Sequence, residues 1–184
     1  MSKLILGITG EIGSGKGVIA KHVVDNYKAD AHKFSQVLRE VLNRLHLEEN
    51  RENLAKLSLI LRKNFGEDVL AKSMYHDAYE DEFDVVVIDG IRRLEDIRYL
   101  RELDHFKLIY IEADMETRYE RIKKRVENVG EAEKTFEQFK QEHELETELQ
   151  IHDLKNYAQY VVENSGTFND LHKQIDEIIK QNLG

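Results

Sequence analysis

A glycine-rich turn close to the start of the sequence has the composition of a phosphate-binding site. Gly10, Gly15 and Lys16 follow the spacing G-x-x-x-x-G-K, immediately after the apolar run from Leu4 to Ile8. Glycines let the backbone adopt positive φ and approach an anion closely, and successive N–H groups then form a nest around it. A helix that begins at such a turn adds partial positive charge, and the lysine supplies a full charge. The spacing therefore predicts a loop that holds the phosphates of a nucleotide.

The residues after this lysine are unusual for a loop of this kind. Ser or Thr normally follows the lysine and directs a hydroxyl at Mg²⁺, whereas this chain has Gly17 and then Val18. Either waters held by carboxylates position the metal ion, or turnover is weak. The residues predicted to contact the nucleotide here are Gly10, Glu11, Ile12, Gly13, Ser14, Gly15, Lys16, Gly17 and Val18.

A second apolar run ends in an acid and two arginines. The run from Val85 to Ile88 leads into Asp89, and Arg92 and Arg93 follow within four residues. A carboxylate at the end of a buried strand can hold a metal-bound water, so Asp89 is the predicted metal residue, with a turn cap as the alternative. Guanidinium groups match phosphate oxygens in pairs, and we expect at least one of the two arginines to face an acceptor phosphate.

Three arginines recur at i, i+3 and i+7 in a later helical segment. Arg118, Arg121 and Arg125 share one helix face, which borders an apolar stripe. Cations at the margin of buried surface are placed to reach phosphates while a lid closes, which favours a part in phosphoryl transfer. The alternative is a basic face balanced by neighbouring acids such as Glu120.

Three polar residues near a weaker apolar segment, Ala29 to Phe34, form the predicted acceptor side. Arg39 lies on the helix predicted from Lys33 to Leu47, where a cation can clamp an acceptor phosphate, and Ser35 precedes it by about one turn. Asp30 is a carboxylate that can take the proton from a hydroxyl acceptor, or else a turn residue.

Apolar runs and helical periods alternate along the chain. Two further runs, Phe106 to Ile111 and Tyr160 to Val162, follow those already named, and residues at helical spacing fall between the runs. Strands that alternate with helices need crossover connections, which predicts an α/β fold with a mainly parallel sheet and helices on both faces. Ligands of such sheets bind at the carboxyl ends of the strands, where the glycine-rich turn and the arginines fall.

Composition narrows the class of protein and of partner. The 184 residues fit one domain, and a formal net charge of −9 disfavours a nucleic acid polymer as partner. Cysteine is absent, which excludes thiolate metal sites, and no two of the eight histidines lie at i, i+3 or i, i+4. The first apolar run is too short for a signal peptide or a membrane span, so we expect a cytoplasmic protein. We expect the protein to be a monomer or a homodimer.

Several of these segments resemble known kinases. Gly7 to Lys16 resembles the opening of dephospho-CoA kinases, and Gly13 to Gly17 is equally similar to adenylate kinases. Asp89 to Arg93 is similar to the adenylate kinase run D-G-F-P-R, whose arginine binds the acceptor phosphate, although Arg92 replaces the proline. Leu38-Arg39 resembles the L-R pair of that family, whose arginine also holds this phosphate.

The resemblance continues to the end of the chain. Arg121 and Arg125 match the R-x-x-x-R at the lid hinge of adenylate kinases, and Tyr160 to Gly166 is similar to the last strand and the nucleotide-base loop. The resemblance therefore implies that ATP and Mg²⁺ are bound, with Asn164 and Gly166 near the base. Lys16, Arg93, Arg121 and Arg125 are then the residues expected to act on the transferred phosphoryl group.

The fold that the resemblance implies is a three-layer P-loop NTPase fold with a five-stranded parallel sheet, helices on both faces and a helical lid. One kinase domain would span residues 1–184, with an acceptor-binding region at about 33–81 and a lid at about 126–150. Three functions are compatible with these residues: a nucleoside or deoxynucleoside monophosphate kinase, a dephospho-CoA kinase with Asp30 as base, and a nucleotide-binding regulator without turnover. Gly17 and Val18 favour the regulator, and the arginines favour the kinases.

Overall fold

The apolar runs become the strands of one parallel sheet. The structure is a computed structural model and describes residues 3–124, 135–142 and 146–183. In these ranges the strands are β1 (Leu4–Thr9), β2 (Ala29–Lys33), β3 (Val85–Asp89), β4 (Phe106–Glu112) and β5 (Tyr160–Glu163). They are paired in parallel in the order β2-β3-β1-β4-β5. The predicted five-stranded parallel sheet is therefore confirmed.

Helices connect the strands and cover both faces of the sheet. The described helices are α1 (Lys16–Asn26), α2 (Phe34–Arg44), α3 (Arg51–Phe65), α4 (Val69–Glu80), α5 (Met115–Lys124), α6 (Phe136–Glu142), α7 (Glu146–Asp153) and α8 (Phe168–Leu183). Local sequence accounts for several ends. Asn50 caps α3, since its side chain accepts the backbone N–H of Asn53 at 2.9 Å. Gly66, with φ of 106°, ends the same helix.

Two apolar layers hold the helices on the sheet. All six residues of β1 are buried, as expected for a central strand that is covered on both faces. Leu6 and Ile8 pack in one layer with residues of α1 and α8, whereas Ile5 packs in the other with residues of α2 and α4. The sheet therefore lies between two helical layers.

The loops after three neighbouring strands meet at this carboxyl edge. Asp89 at the end of β3 is in register with Ile8 of β1 and with Lys33 of β2. The Oγ1 of Thr9 donates a hydrogen bond of 3.0 Å to the carbonyl oxygen of Ile91, which joins the loop after β3 to the end of β1. This register brings the glycine-rich turn and the two arginines after β3 to one side of the sheet.

Two predicted segments need comment. The helix expected from Lys33 to Leu47 is shorter, Phe34–Arg44, because the chain turns at His46 with φ of 56°. The predicted lid at about 126–150 lies partly outside the described residues, and its described parts are α6 and the first residues of α7. Among the described helices, none combines the length and apolar character that a membrane crossing requires.

Candidate nucleotide and acceptor site

The glycine-rich turn forms the loop that its spacing predicts. Gly10, Gly13 and Gly15 all have positive φ, at 146°, 79° and 106°. Gly15 is the N-cap of α1, and no described side chain caps this helix end. The first amides of α1 therefore keep their capacity to bind an anion, beside the partial positive charge of the helix N-terminus.

The same three glycines are also required by close packing inside the protein. A Cβ added to Gly10 would lie 2.3 Å from the carbonyl oxygen of Ile111, and one added to Gly15 would lie 2.3 Å from Nδ2 of Asn164. A Cβ on Gly13 would lie 2.7 Å from the carbonyl oxygen of Arg118. Room for phosphate is thus one of two reasons for glycine at these positions, and the second is the contact with β4, α5 and the loop after β5.

Lys16 and Ser14 supply the polar groups of the loop. Lys16 Nζ donates to the carbonyl oxygens of Gly10 at 2.5 Å and Glu11 at 2.9 Å, so its ammonium lies against the loop itself. Ser14 is fully buried, and its hydroxyl has no hydrogen-bond partner among the described residues. A buried hydroxyl without a partner costs about 1–3 kcal/mol, which a bound phosphate or water in the cradle would offset. The loop therefore fits a polyphosphate.

Arg118 holds the phosphate loop through a hydrogen bond and an ion pair. The residue is 3% exposed, and its guanidinium donates to the carbonyl oxygens of Ala113 at 3.0 Å and Ile12 at 3.3 Å. It also pairs with the carboxylate of Glu11 at 3.3 Å. Arg118, one of the three arginines on the predicted helix face, therefore holds the phosphate loop in position.

Arg121 lies one turn later, beside the loop after β5. Its Nη2 is 3.4 Å from Oδ1 of Asn164, its guanidinium lies 5.7 Å from the ring centroid of Phe168, and burial lowers its pKa. The buried Nη1 has no hydrogen-bond partner in the part of the chain that the structure describes. Asn164 in turn donates to the carbonyl oxygen of Ser14 at 2.7 Å. A cation and an aromatic ring next to the phosphate loop suit the base of a nucleotide. Gly166 follows in the same loop and is exposed, whereas Arg125 lies outside the described residues.

An open pocket of about 460 Å³ lies on the other side of the loop, at the ends of β4 and β5. Its lining includes the carboxylates of Glu11, Glu112, Asp114 and Glu163. Lys155 also lines it and pairs with Glu112 at 2.5 Å. The surplus of negative charge in this lining repels phosphate groups.

The end of β3 carries the predicted carboxylate and the two arginines. Asp89 is half-buried, and its carboxylate makes no hydrogen bond or ion pair within the described ranges, so this group is available to a ligand. Arg92 is exposed, and Arg93 pairs with Glu67 at 3.4 Å. Both residues follow β3, whose last residue is in register with Ile8 of β1.

A buried ion pair, which no sequence motif indicates, holds the loop that carries Arg92 and Arg93, here called the arginine loop. Asp96 Oδ2 accepts the backbone N–H groups of Arg92 at 3.0 Å and Arg93 at 3.1 Å. Its Oδ1 pairs with Arg62 of α3 at 3.1 Å, and the two side chains are 3% and 9% exposed. Arg62 follows the apolar positions of α3 directly, but nothing in the sequence links it to an acid 34 residues later. The pair connects α3 to the backbone of the arginine loop.

The remaining acceptor-side candidates occupy different places. Arg39 and Ser35 lie on α2 beyond the carboxyl end of β2, and Arg39 pairs with Glu49 at 3.0 Å on the surface. Asp30 is the second residue of β2 and is paired with Val86, three residues before Asp89. Since a strand rises about 3.3 Å per residue, Asp30 lies roughly 10 Å from the carboxyl edge. The structure therefore does not bring Asp30 together with the phosphate loop.

Comparison with known proteins agrees with this architecture. A family model described as an AAA domain matches residues 9–140. The UPF0200 protein of Methanocaldococcus jannaschii is 30% identical over 182 residues, which cover 98% of this chain and 91% of that protein. The chain belongs to the AAA domain and UPF0200 families.

Solved structures show the fold of this UPF0200 protein to be that of P-loop kinases. A shikimate kinase from Bacteroides thetaiotaomicron superimposes with a TM-score of 0.62 at 13% identity, covering 96% of this chain and 98% of that one. A sugar kinase from Janibacter superimposes with a TM-score of 0.55 at 15% identity, covering 100% of this chain and 95% of that one. The predicted P-loop kinase-like fold is confirmed.

The described residues at the end of β1 and in the phosphate loop suit a hydrated Mg²⁺ that would be held through water. Thr9 uses its hydroxyl internally, on the carbonyl oxygen of Ile91. Gly17 and Val18 have no hydroxyl, and a Cβ on Gly17 would have nothing within 4 Å. Asp89, at the end of β3, is a carboxylate that can hold water molecules of a hydrated ion.

Proposed function

We propose that this UPF0200 protein is an ATP-dependent kinase that phosphorylates a small phosphate-bearing metabolite, with a nucleoside or deoxynucleoside monophosphate as the leading acceptor. The observation that carries the proposal is the juxtaposition, through the register of Ile8 with Asp89, of an anion-binding loop and an arginine loop. One loop suits the nucleotide phosphates and the other suits a second phosphate group. A protein that only bound ATP would not need the second set of cations.

Positioning and charge account for the chemistry of this proposal. ATP with Mg²⁺ supplies the transferable phosphoryl group when bound. Lys16 and the α1 amides hold the β- and γ-phosphates, and Arg93 with Arg39 holds the acceptor phosphate. An oxygen of that phosphate forms the new P–O bond while the bond to the β-phosphate oxygen breaks. Arg121, beside the loop after β5, and Arg125 are expected to stabilise the transferred group.

This reaction needs no strong base, because the nucleophile is already an anion. A dephospho-CoA kinase differs, since its acceptor is a sugar hydroxyl that must lose a proton to a carboxylate. The position of Asp30, away from the carboxyl edge, supports the phosphate acceptor over the hydroxyl acceptor. Replacing Asp30 by Asn should therefore leave turnover within about twofold, whereas loss of a general base costs about 10²–10⁴-fold.

The test is ADP release in the presence of nucleoside monophosphates, deoxynucleoside monophosphates or dephospho-CoA, with the Lys16→Ala variant as control. We expect a monophosphate to stimulate release, and we expect Lys16→Ala to lower the rate by about 100-fold or more, the scale of losing a preorganised charge donor. Stimulation by dephospho-CoA alone, abolished in Asp30→Asn, would support the alternative kinase. Tight ATP binding without stimulation by any acceptor would identify a regulator instead.

A further inference from the structure

A group of potential metal ligands lies on the edge strand, away from the phosphate loop. Asp30 and His32 are two residues apart on β2, so their side chains leave the same face of the strand. Asp81 follows α4 and reaches the same place from the other side. Asp30 and His32 are paired with Val86 and Ile88, in the part of the sheet before the carboxyl edge. The group is therefore separate from Asp89 and from the proposed nucleotide site.

The geometry of these side chains suits a small cation. One ligand atom from each of Asp30, His32 and Asp81 lies within 4.8 Å of the other two. Nε2 of His32 is 2.7 Å from Oδ2 of Asp81, and these side chains are 22% and 4% exposed. A tetrahedral Zn²⁺ site with bonds of about 2.1 Å separates its ligand atoms by about 3.4 Å. Shifts of about an ångström would close the three groups around an ion.

Backbone amides orient both carboxylates. Asp30 Oδ1 accepts the N–H of Ala31 at 2.7 Å, and Asp81 Oδ1 accepts the N–H of Phe83 at 2.7 Å. The second oxygen of Asp81 is the one that contacts Nε2 of His32, and the second oxygen of Asp30 is left for another partner. Outer hydrogen bonds of this kind fix the direction of metal-ligating carboxylates.

The charge balance around the group is negative. Lys3 lies close by, but its ammonium donates to the backbone carbonyl oxygens of Ala78, Tyr79 and Asp81. Asp77, one turn before Asp81, has a raised pKa because it is buried and because Glu40 and Glu80 are near, while His32 acts in the opposite direction. Within the group itself, the imidazole of His32 faces the carboxylates of Asp30 and Asp81, whose negative charge a divalent cation would neutralise.

We propose that Asp30, His32 and Asp81 form a binding site for a divalent first-row transition metal ion, with Zn²⁺ as the representative ligand. An imidazole beside two carboxylates favours such an ion over Mg²⁺ or Ca²⁺, which prefer oxygen ligands. The side chain of His32 is 22% exposed, which gives water access to a fourth coordination position. The ion joins the edge strand β2 to the end of α4 and stabilises the region from which α2 begins.

Metal binding is tested with Zn²⁺ and Co²⁺ on the intact chain. Calorimetry with Zn²⁺ should give one site per chain, and Co²⁺ should develop the visible absorption of a low-symmetry site. At 100-fold excess of free Zn²⁺ over its Kd, Tm should rise by about 5–10 °C. The experiment depends only on the folded chain, so its outcome is independent of any kinase activity.

Matched variants decide where the ion binds. Asp30→Asn keeps the oxygen that accepts the Ala31 N–H but removes the charge, and His32→Ala removes the nitrogen ligand. We expect each to weaken Zn²⁺ binding by at least tenfold and to abolish the rise in Tm. His76→Ala, on the exposed side of α4, should behave as the wild type. No Zn²⁺-dependent change in the wild type, or equal affinity in all four proteins, would overturn the proposal.

Discussion

The buried pair of Arg62 and Asp96 offers a sharp test of how the acceptor side is held together. Replacing Asp96 by Asn, or Arg62 by Met, leaves one buried group without its partner. The side chains are 9% and 3% exposed, and Nε of Arg62 already has no hydrogen-bond partner among the described residues. Breaking such a pair costs about 3–5 kcal/mol, which corresponds to a fall in Tm of roughly 10 °C for a domain of this size.

A double-mutant cycle separates the pair from the two side chains. When Arg62→Met and Asp96→Asn are combined, no buried charge is left unpaired. The decrease in the free energy of unfolding should therefore be smaller than the sum of the two single decreases by about 1–3 kcal/mol. Urea unfolding of the four proteins measures this difference. Arg98→Met is the control, because Arg98 is 66% exposed and lies 3.7 Å from Asp68, and it should cost less than about 1 kcal/mol.

The same variants test whether the pair positions the arginine loop. The Asp96 carboxylate bonds to the backbone of Arg92 and Arg93 and to Arg62, and none of these partners is a residue of the phosphate loop. We therefore expect the KM of the phosphate acceptor to rise about tenfold or more in either single variant, while the KM of ATP changes little. Additive stability losses, or equal effects on the two KM values, would refute the reasoning.

Two further predictions concern the metal ion and pH. Gly17→Ser should be accommodated, since a Cβ there meets nothing within 4 Å, and should stabilise α1 by about 0.5 kcal/mol. Its hydroxyl should lower the Mg²⁺ concentration for half-maximal turnover, and an unchanged Mg²⁺ titration would show that the ion lies elsewhere. His172 has a lowered pKa because of burial first and of His22 second, with which it stacks at 3.9 Å. Its folded pKa is below the unfolded value of 6.5, so its contribution to stability is complete above pH 6.5 and is lost as pH falls through the folded pKa. Between pH 7.5 and 5, urea unfolding should show a smaller decrease in the free energy of unfolding for His172→Phe than for the wild type. Equal decreases in the two proteins would contradict this assignment.

Local sequence was sufficient for the elements and for the phosphate loop. The runs Val85 to Ile88 and Phe106 to Ile111 lie within one residue of β3 and β4, because a strand buried on both faces needs continuous apolar residues. The spacing of Gly10, Gly15 and Lys16 likewise determines a loop between strand and helix. These properties depend on neighbours in the chain, which a sequence displays directly.

The tertiary structure decided which polar groups meet. Arg118 and Arg121 lie on the same face of α5. The packing of α5 against the phosphate loop nevertheless directs the Arg118 side chain to Glu11 and Ile12. The sequence permits Asp30 as a general base, but the register of β2 with β3 places this residue before the carboxyl edge of the sheet. Arg62 and Asp96 meet only because α3 packs beside the loop after β3. Partners of buried charges are set by sheet register and helix packing, and these depend on contacts between residues far apart in the chain.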